Sequence, residues 1–187
     1  TDGLANMAGV VMDLMTKNMG NKVHDYRLAY DMLMKAYVAK ATGNGNQGLM
    51  LGWPTLDEMT GGLSVGDLIS FVGRPASGKT WLMIFLALHA WSQGKIPLFL
   101  SMEIKPLPIM QRLIALHANI PSKGVREGQL SSADFAEMKV VLQKTKEGET
   151  PFYVVDGNLT ATVSDVHALV RQLKPDFVVI DGAYLLK

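Results

Sequence analysis

One run of residues has the types and spacing to hold phosphate: Gly73-Arg74-Pro75-Ala76-Ser77-Gly78-Lys79-Thr80. It matches the pattern G-x4-G-K-S/T and stands between two apolar runs, LISFV and WLMIFLALHAW. A loop that leaves a strand and enters a helix aims successive backbone N–H groups and the helix N-terminus at one anion. The glycines let backbone approach phosphate with no Cβ in the way. Lys79 is placed to meet the β- and γ-phosphates, and the Thr80 hydroxyl to ligate Mg²⁺. The expected cofactors are ATP and Mg²⁺. A plain Gly-containing turn is the bland alternative. A chance match arises in roughly 1% of chains of this size, and the flanking strand and helix patterns favour a nucleotide site.

Two carboxylates complete the candidate chemistry. PDFVVIDG, residues 175–182, is an apolar strand that ends in Asp181. At the C-terminal end of a parallel strand, where ligands gather in such sheets, Asp181 would hold the metal, usually through a water. Asp156 closes the strand FYVVD in the same way and is the alternative; the wholly apolar approach to Asp181 favours the latter. Glu103, in PLFLSMEI, lies just past another strand end. It could polarise a water attacking the γ-phosphate, or it could be a solvated residue opening a loop before Lys105 and Pro106.

These groups need a scaffold to position them. Nearly continuous apolar runs predict strands at Leu68–Val72, Pro97–Ser101, Phe152–Asp156 and Phe177–Asp181, as expected of parallel strands covered on both faces. Between them the spacing predicts helices over Thr80–Ser92, Pro108–Ala118 (Ile109, Leu113, Leu116 inward), Ser132–Lys146 (Phe135, Met138, Leu142 inward) and Val163–Lys174 (Val163, Val166, Val170, Leu173 inward). Ser131 and Asp134 resemble a capping box. Strand and helix in alternation mean an α/β fold with a parallel sheet. Upstream, residues 1–19 could form a short helix. Val23–Lys40 reads as a stronger one, with Tyr26, Tyr30, Leu33 and Tyr37 on one face. ATGNGNQG, residues 41–48, reads as a flexible linker. The expected organisation is a helical segment over 1–40, the linker over 41–48 and one domain over 49–187.

Composition narrows the classes. The chain has 187 residues, 48% of them hydrophobic, so one domain with a sizeable core can form. The net charge of +1 does not announce a nucleic-acid binder, although a local basic patch remains compatible with it. With no cysteine, disulfides and thiolate metal sites are excluded. No apolar run reaches the roughly 18 residues of a membrane span, so no membrane partner is expected. The opening TDGLANMAGV has neither an initiator Met nor a leader pattern and reads as a piece of a longer protein. His24, His89, His117 and His167 are scattered without metal-ligand spacing. Trp81, Phe85 and Leu88 read as core. Trp53 reads as a buried anchor rather than a platform for a base. Lys139, Lys144 and Lys146 alternate with Glu137, Glu147 and Glu149 as a solvated mixed-charge face.

Taken together, the motifs resemble a known family. LGWPTLDEMTGGLSVGDLISFVGRPASGKT resembles the opening of the RecA-like ATPase domain of DnaB-type replicative helicases, through Leu56-Asp57, Thr60-Gly61-Gly62-Leu63, Gly66-Asp67-Leu68 and the GRP before GKT. FLSMEI resembles that family's Ser-Leu-Glu-Met segment, and the resemblance implies that Glu103 is the catalytic base. Arg112, Gly128 and Leu130 stand at family-like positions, and the match covers roughly 49–187. The fold implied is α/β, a RecA-like P-loop core preceded by an α-helical linker segment. The resemblance implies an ATP-hydrolysing homo-hexamer that translocates on single-stranded DNA and unwinds duplex in the 5′–3′ sense. It would act in the cytoplasm of a bacterium or a phage-infected host, with primase and a helicase loader as partners. The chain departs from the family pattern at Asp181-Gly182-Ala183-Tyr184, where Asp-Tyr-Leu-Gln is usual. The γ-phosphate sensor, DNA-binding loops and arginine finger of the family would lie beyond Lys187. Rival readings are a RecA-like ATPase without unwinding (a recombinase or clock protein), a small-molecule P-loop kinase and a nucleotide-gated assembly module. The spellings GRPASGKT and SMEI disfavour the first. The second would need an Arg-rich lid, and no Arg cluster lies between Lys105 and Glu149. The third would keep Lys79 without a working Glu103.

Overall fold

A computed structural model of the chain describes residues 25–42, 48–157 and 161–187. Two compact units are present, Thr1–Asn46 and Gln47–Lys187. The expected helix over residues 1–19 lies outside the described residues, as do 43–47 of the expected linker.

In the first unit, helix α1 spans Tyr30–Ala41 and is preceded by a 3-10 turn at Tyr26–Leu28. The expected helix begins at Val23, and its first two residues lie outside the described ones. The reason for the later start is local. The Asp25 carboxylate accepts the Arg27 backbone N–H at 3.0 Å, so it caps the short turn instead of continuing a helix. Tyr26, Tyr30, Leu33 and Tyr37 are all exposed within this structure.

The second unit opens with an antiparallel bridge between Leu49 and Leu63. The bridge closes a loop around helix α2, Pro54–Thr60, with Pro at its first position. Asp57 on this helix reaches back and accepts the N–H groups of Leu51 (2.6 Å) and Gly52 (3.0 Å). Helix α3, Lys79–Ser92, follows the Gly-rich loop and leads to strand β1, Pro97–Ser101. Helices α4 (Pro106–His117), α5 (Ser122–Glu127) and α6 (Ser132–Glu147) come next. Strand β2 (Tyr153–Asp156), helix α7 (Val163–Leu173) and strand β3 (Phe177–Asp181) finish the regular elements. A 3-10 turn at Ala183–Leu185 follows β3 directly.

The sheet is parallel with order β2-β1-β3. Every residue of the central strand β1 is buried, in keeping with its continuous apolar sequence. Phe99 pairs with Val154 on one side and Val179 on the other. On that face Ile84 and Ala87 of α3 and Ile109 of α4 close the main core around Phe99 and Val179. A second cluster, Ala118, Ile120 and Val141, ties α6 to the end of α4.

The expected strand Leu68–Val72 is not a strand. Among the described residues it has no ladder partner, and Leu68 and Val72 are 92% and 96% exposed. Apolar, β-branched composition fits a pleated surface, but a strand exists only where an edge accepts it. The central strand β1 is already paired on both sides, and among the described residues this run makes no ladder bond to the outer edge of β2 or β3. The inward stripe of α6 also differs from expectation. Phe135 and Leu142 are about half exposed, while Val141 is buried with Met138 packed beside it. On α3 the fully buried face is Ile84, Leu86, Ala87 and Ala90, and Trp81, Phe85 and Leu88 are only partly buried. Ser131 does cap α6, accepting the Asp134 N–H at 3.1 Å. The reciprocal capping box sits on α7 instead, between Thr162 and Asp165.

Phe99→Ala should lower the unfolding free energy by about 3–5 kcal/mol, because Phe99 is fully buried between the helices and the sheet. Phe135→Ala should cost under about 1 kcal/mol, since it removes only a half-exposed ring under Lys139. Urea titration of both variants checks the pair; equal losses would contradict this placement of the core.

Candidate nucleotide site

The Gly-rich loop owes its shape to its backbone. Ala76 has φ 61° and Gly78 φ 90°, so the chain turns through two left-handed residues before α3 begins. Gly73 has no room for a side chain: a Cβ there would lie 2.6 Å from the Ser77 hydroxyl. Gly78 is the N-cap of helix α3, and no side chain caps its first turn. Those N–H groups and the positive end of the helix dipole are what an anion would meet. The stretch from Gly73 to Gly78 is exposed. Lys79 folds back over it, its Nζ donating to the carbonyls of Gly73 (2.8 Å) and Arg74 (3.0 Å).

The structure brings Thr80 and Asp181 together across 101 residues of sequence: the Thr80 hydroxyl donates to Asp181 Oδ2 at 2.8 Å. Parallel pairing makes this possible. β3 ends at the same level as β1, with Ser101 opposite Asp181, and the Met102 N–H donates to the Asp181 carbonyl at 3.0 Å. Asp181 is 6% exposed. Burial pushes its carboxyl upward from the ordinary value, and the neighbouring Glu103 charge adds to this. The Thr80 hydrogen bond, Arg112 and Lys79 act the other way. A hydroxyl and a carboxylate oxygen at the foot of a phosphate-type loop are hard oxygen donors, the kind Mg²⁺ takes. The residues present therefore fit that ion. Among the described residues there is no cluster of His, Cys, Asp and Glu of the multi-ligand kind.

Asp156 occupies the corresponding end of β2, opposite Ser101 on the other side. Its carboxylate pairs with Lys105 Nζ at 3.0 Å. Of the two carboxylates weighed from sequence, Asp181 is the one in contact with Thr80.

Glu103 is set by a turn at the end of β1. The buried Ser101 hydroxyl donates to the Ile104 carbonyl (2.6 Å) and accepts the Ile104 N–H (3.2 Å), which bends the chain sharply through Met102 and Glu103. Glu103 in turn accepts a hydrogen bond from the Tyr184 hydroxyl. Gly182, at φ 87°, lies against it. Neither Ser101 nor Tyr184 is among the site residues expected from sequence. The Ser two positions before Glu103 was a readable turn signal; the approach of Tyr184 was not, since it depends on strand pairing. Arg112 of α4 lies over the Trp81 ring at 5.6 Å. The Trp53 ring packs on Phe85 at 4.8 Å between centroids, as an anchor would. Phe85 stacks on His89, and His117 meets the edge of Trp91. Burial lowers the pKa of His117.

The raised pKa of Asp181 carries a stability consequence. A carboxyl that binds its proton more tightly when folded favours the fold below its ordinary pKa, and that contribution is lost as pH rises through the folded value. In metal-free buffer Asp181→Asn should therefore melt higher than wild type at pH 7, with the difference shrinking as pH falls through the raised folded value and gone by about pH 4. A lower Tm at pH 7 in the presence of EDTA would contradict this electrostatic balance.

The family described as DnaB-like helicase C terminal domain matches residues 48–187. The chain is 32% identical over 127 residues to the replicative DNA helicase DnaB of Treponema pallidum, covering 67% of this chain and 28% of that protein. It is 28% identical over 174 residues to the DnaB of Leifsonia xyli subsp. xyli, covering 88% of this chain and 37% of the relative. With the DnaB of Nostoc sp. it shares 30% over 154 residues, 76% of this chain and 17% of the relative. The chain thus spans well under half the length of these relatives. Two solved structures share its fold at 22% identity. One is described as an ATPase domain, with TM-score 0.73 over 87% of this chain and 60% of that one. The other is a DnaB-like replicative helicase described with its interactions with primase, with TM-score 0.72 over 95% and 44%. Both the α/β architecture and its parallel sheet are those of the RecA-like ATPase domain, and by sequence the chain belongs to the DnaB-like helicase C-terminal domain family.

Proposed function

We propose that this chain is the ATP-hydrolysing part of a ring-shaped replicative DNA helicase that moves on single-stranded DNA and unwinds duplex. The observation that carries the reading is the contact of Thr80 with Asp181 at the foot of the Gly-rich loop, with Glu103 beside it. In this reading the backbone of Gly73–Thr80 and the start of α3 cradle the phosphates of ATP. Lys79 exchanges the carbonyls of Gly73 and Arg74 for the β- and γ-phosphate oxygens, trading neutral acceptors for charged ones. Thr80 and Asp181 would hold Mg²⁺, whose charge neutralises the phosphate oxygens. Glu103 is the general base and takes the proton of the attacking water on its carboxylate. The mechanism also needs an arginine finger, supplied by a neighbouring subunit of a homo-hexamer; such fingers contribute roughly 10³–10⁵ in rate. Helix α1 and the residues around it form the linker-helix segment ahead of the ATPase domain. Family membership supports single-stranded DNA as a partner, and a structural neighbour described with its interactions with primase supports primase; a loader and a bacterial or phage-infected cytoplasm complete the reading. Among the described residues no helix is long and apolar enough to cross a membrane.

DNA-stimulated ATP hydrolysis and unwinding of a forked duplex by the full-length protein test the reading directly; hydrolysis indifferent to single-stranded DNA would contradict it. Lys79→Ala should weaken ATP binding by about 2–3 kcal/mol, read by nucleotide titration. Glu103→Gln should keep nucleotide affinity and lose roughly 10²–10⁴ in turnover, because an amide cannot take the proton. Asp181→Asn should weaken the dependence of hydrolysis on Mg²⁺, seen as a shifted metal titration.

A further inference from the structure

The turn after β3 has a feature that phosphate binding does not need. Gly182 takes φ 87° and ψ 39°, and the Leu185 N–H closes on the Gly182 carbonyl at 2.9 Å. The chain reverses at once and carries Tyr184 back across the top of the sheet. Because β1 and β3 are adjacent and in register at Ser101 and Asp181, the reversal brings the phenol to Glu103. There the Tyr184 hydroxyl donates to Glu103 Oε1. The ring itself is 78% exposed, so it is not held there by burial in a core. Gly182 makes the approach possible. A Cβ at that position would lie 3.2 Å from Glu103 Cγ and 3.3 Å from Oε1, and its φ disfavours any side chain.

We propose that Tyr184 is a positioning residue for the general base: its hydroxyl occupies one oxygen of Glu103 and holds the carboxylate beside Asp181, leaving the other oxygen for water. The physical need is plain. Glu103 and Asp181 are like charges close enough to perturb each other, and an untethered Glu103 would swing away into solvent. The hydrogen bond to Glu103 also raises the pKa of the Tyr184 phenol. Gly182 and Tyr184 then belong together, one making room and the other supplying the tether. The inference rests on Glu103 being the base.

Steady-state ATP hydrolysis by the full-length protein with single-stranded DNA tests it. Tyr184→Phe keeps the ring and removes the donor. It should lower kcat roughly 10-fold, with KM for ATP, equilibrium binding of a non-hydrolysable ATP analogue and Tm all unchanged. On a Glu103→Gln background the same substitution should add no further loss, because there is no base left to position. Turnover by Tyr184→Phe within twofold of wild type, with Glu103→Gln inactive, would overturn the positioning role and leave the base assignment standing. A loss that appears equally in both backgrounds, or that comes with a lower Tm, would mark Tyr184 as structural and also overturn it. Wild-type turnover by Glu103→Gln would instead remove the base, and this inference with it.

Discussion

The parallel pairing of β1 with β3 is the constraint on which the rest of the site depends. It sets Ser101 level with Asp181 and extends one bond further, from the Met102 N–H to the Asp181 carbonyl. From that single register follow the placement of Asp181 under Thr80, of Glu103 two residues past Ser101, and of Tyr184 three residues past Asp181. A one-residue slip would turn Asp181 to the opposite face and dismantle all of these contacts. The pairing is secured by burial. Phe99 and Val179 lie in the same row, held between Ile84, Ala87 and Ile109.

Charge is balanced across this register. Asp181 is nearly buried and its ionisation is disfavoured, yet Lys79, Arg112 and the Thr80 hydroxyl all support the charged form. Lys79 directs its donors to the carbonyls of its own loop, and Arg112 rests on Trp81. None of these cations closes a direct ion pair with Asp181. Such an arrangement leaves a carboxylate held at some cost beside the Gly-rich loop, with hard oxygen donors of the kind the proposed Mg²⁺ site would use. Sites of this kind keep unfavourable terms in the free protein that bound ligands relieve.

The residues just past Asp181 form a tight turn of their own. Gly182 takes a left-handed turn right after β3, and Tyr184 follows it two positions later. The contact with Glu103 is thereby made from a turn rather than from the strand end. Ser101 supports the same residue from the opposite direction, by bending the chain after β1. The candidate base is therefore held by two short hydrogen-bonded turns, each at the end of one of two paired strands.

Much of this was legible in the residues alone. The spacing from Gly73 to Thr80 specifies a loop whose glycines and following helix are dictated by backbone chemistry, so the loop and the start of α3 were legible from the residues. Strands β1, β2 and β3 were legible because a continuous apolar run has few other places to go. Helices α3, α4, α6 and α7 were legible from their period, while the short α2 and α5 carry too few turns to show one. What the sequence could not decide was pairing. Leu68–Val72 has the composition of a strand, but whether an edge accepts it is a property of the whole sheet, and here none does. Phe135 and Val141 are equally apolar, and only the placement of α4 against α6 determines which is buried. Asp156 and Asp181 end similar strands; the packing of α3 puts Thr80 against the second. The Tyr184–Glu103 contact joins residues 81 apart, and it exists because two strands meet in register, which no local pattern encodes.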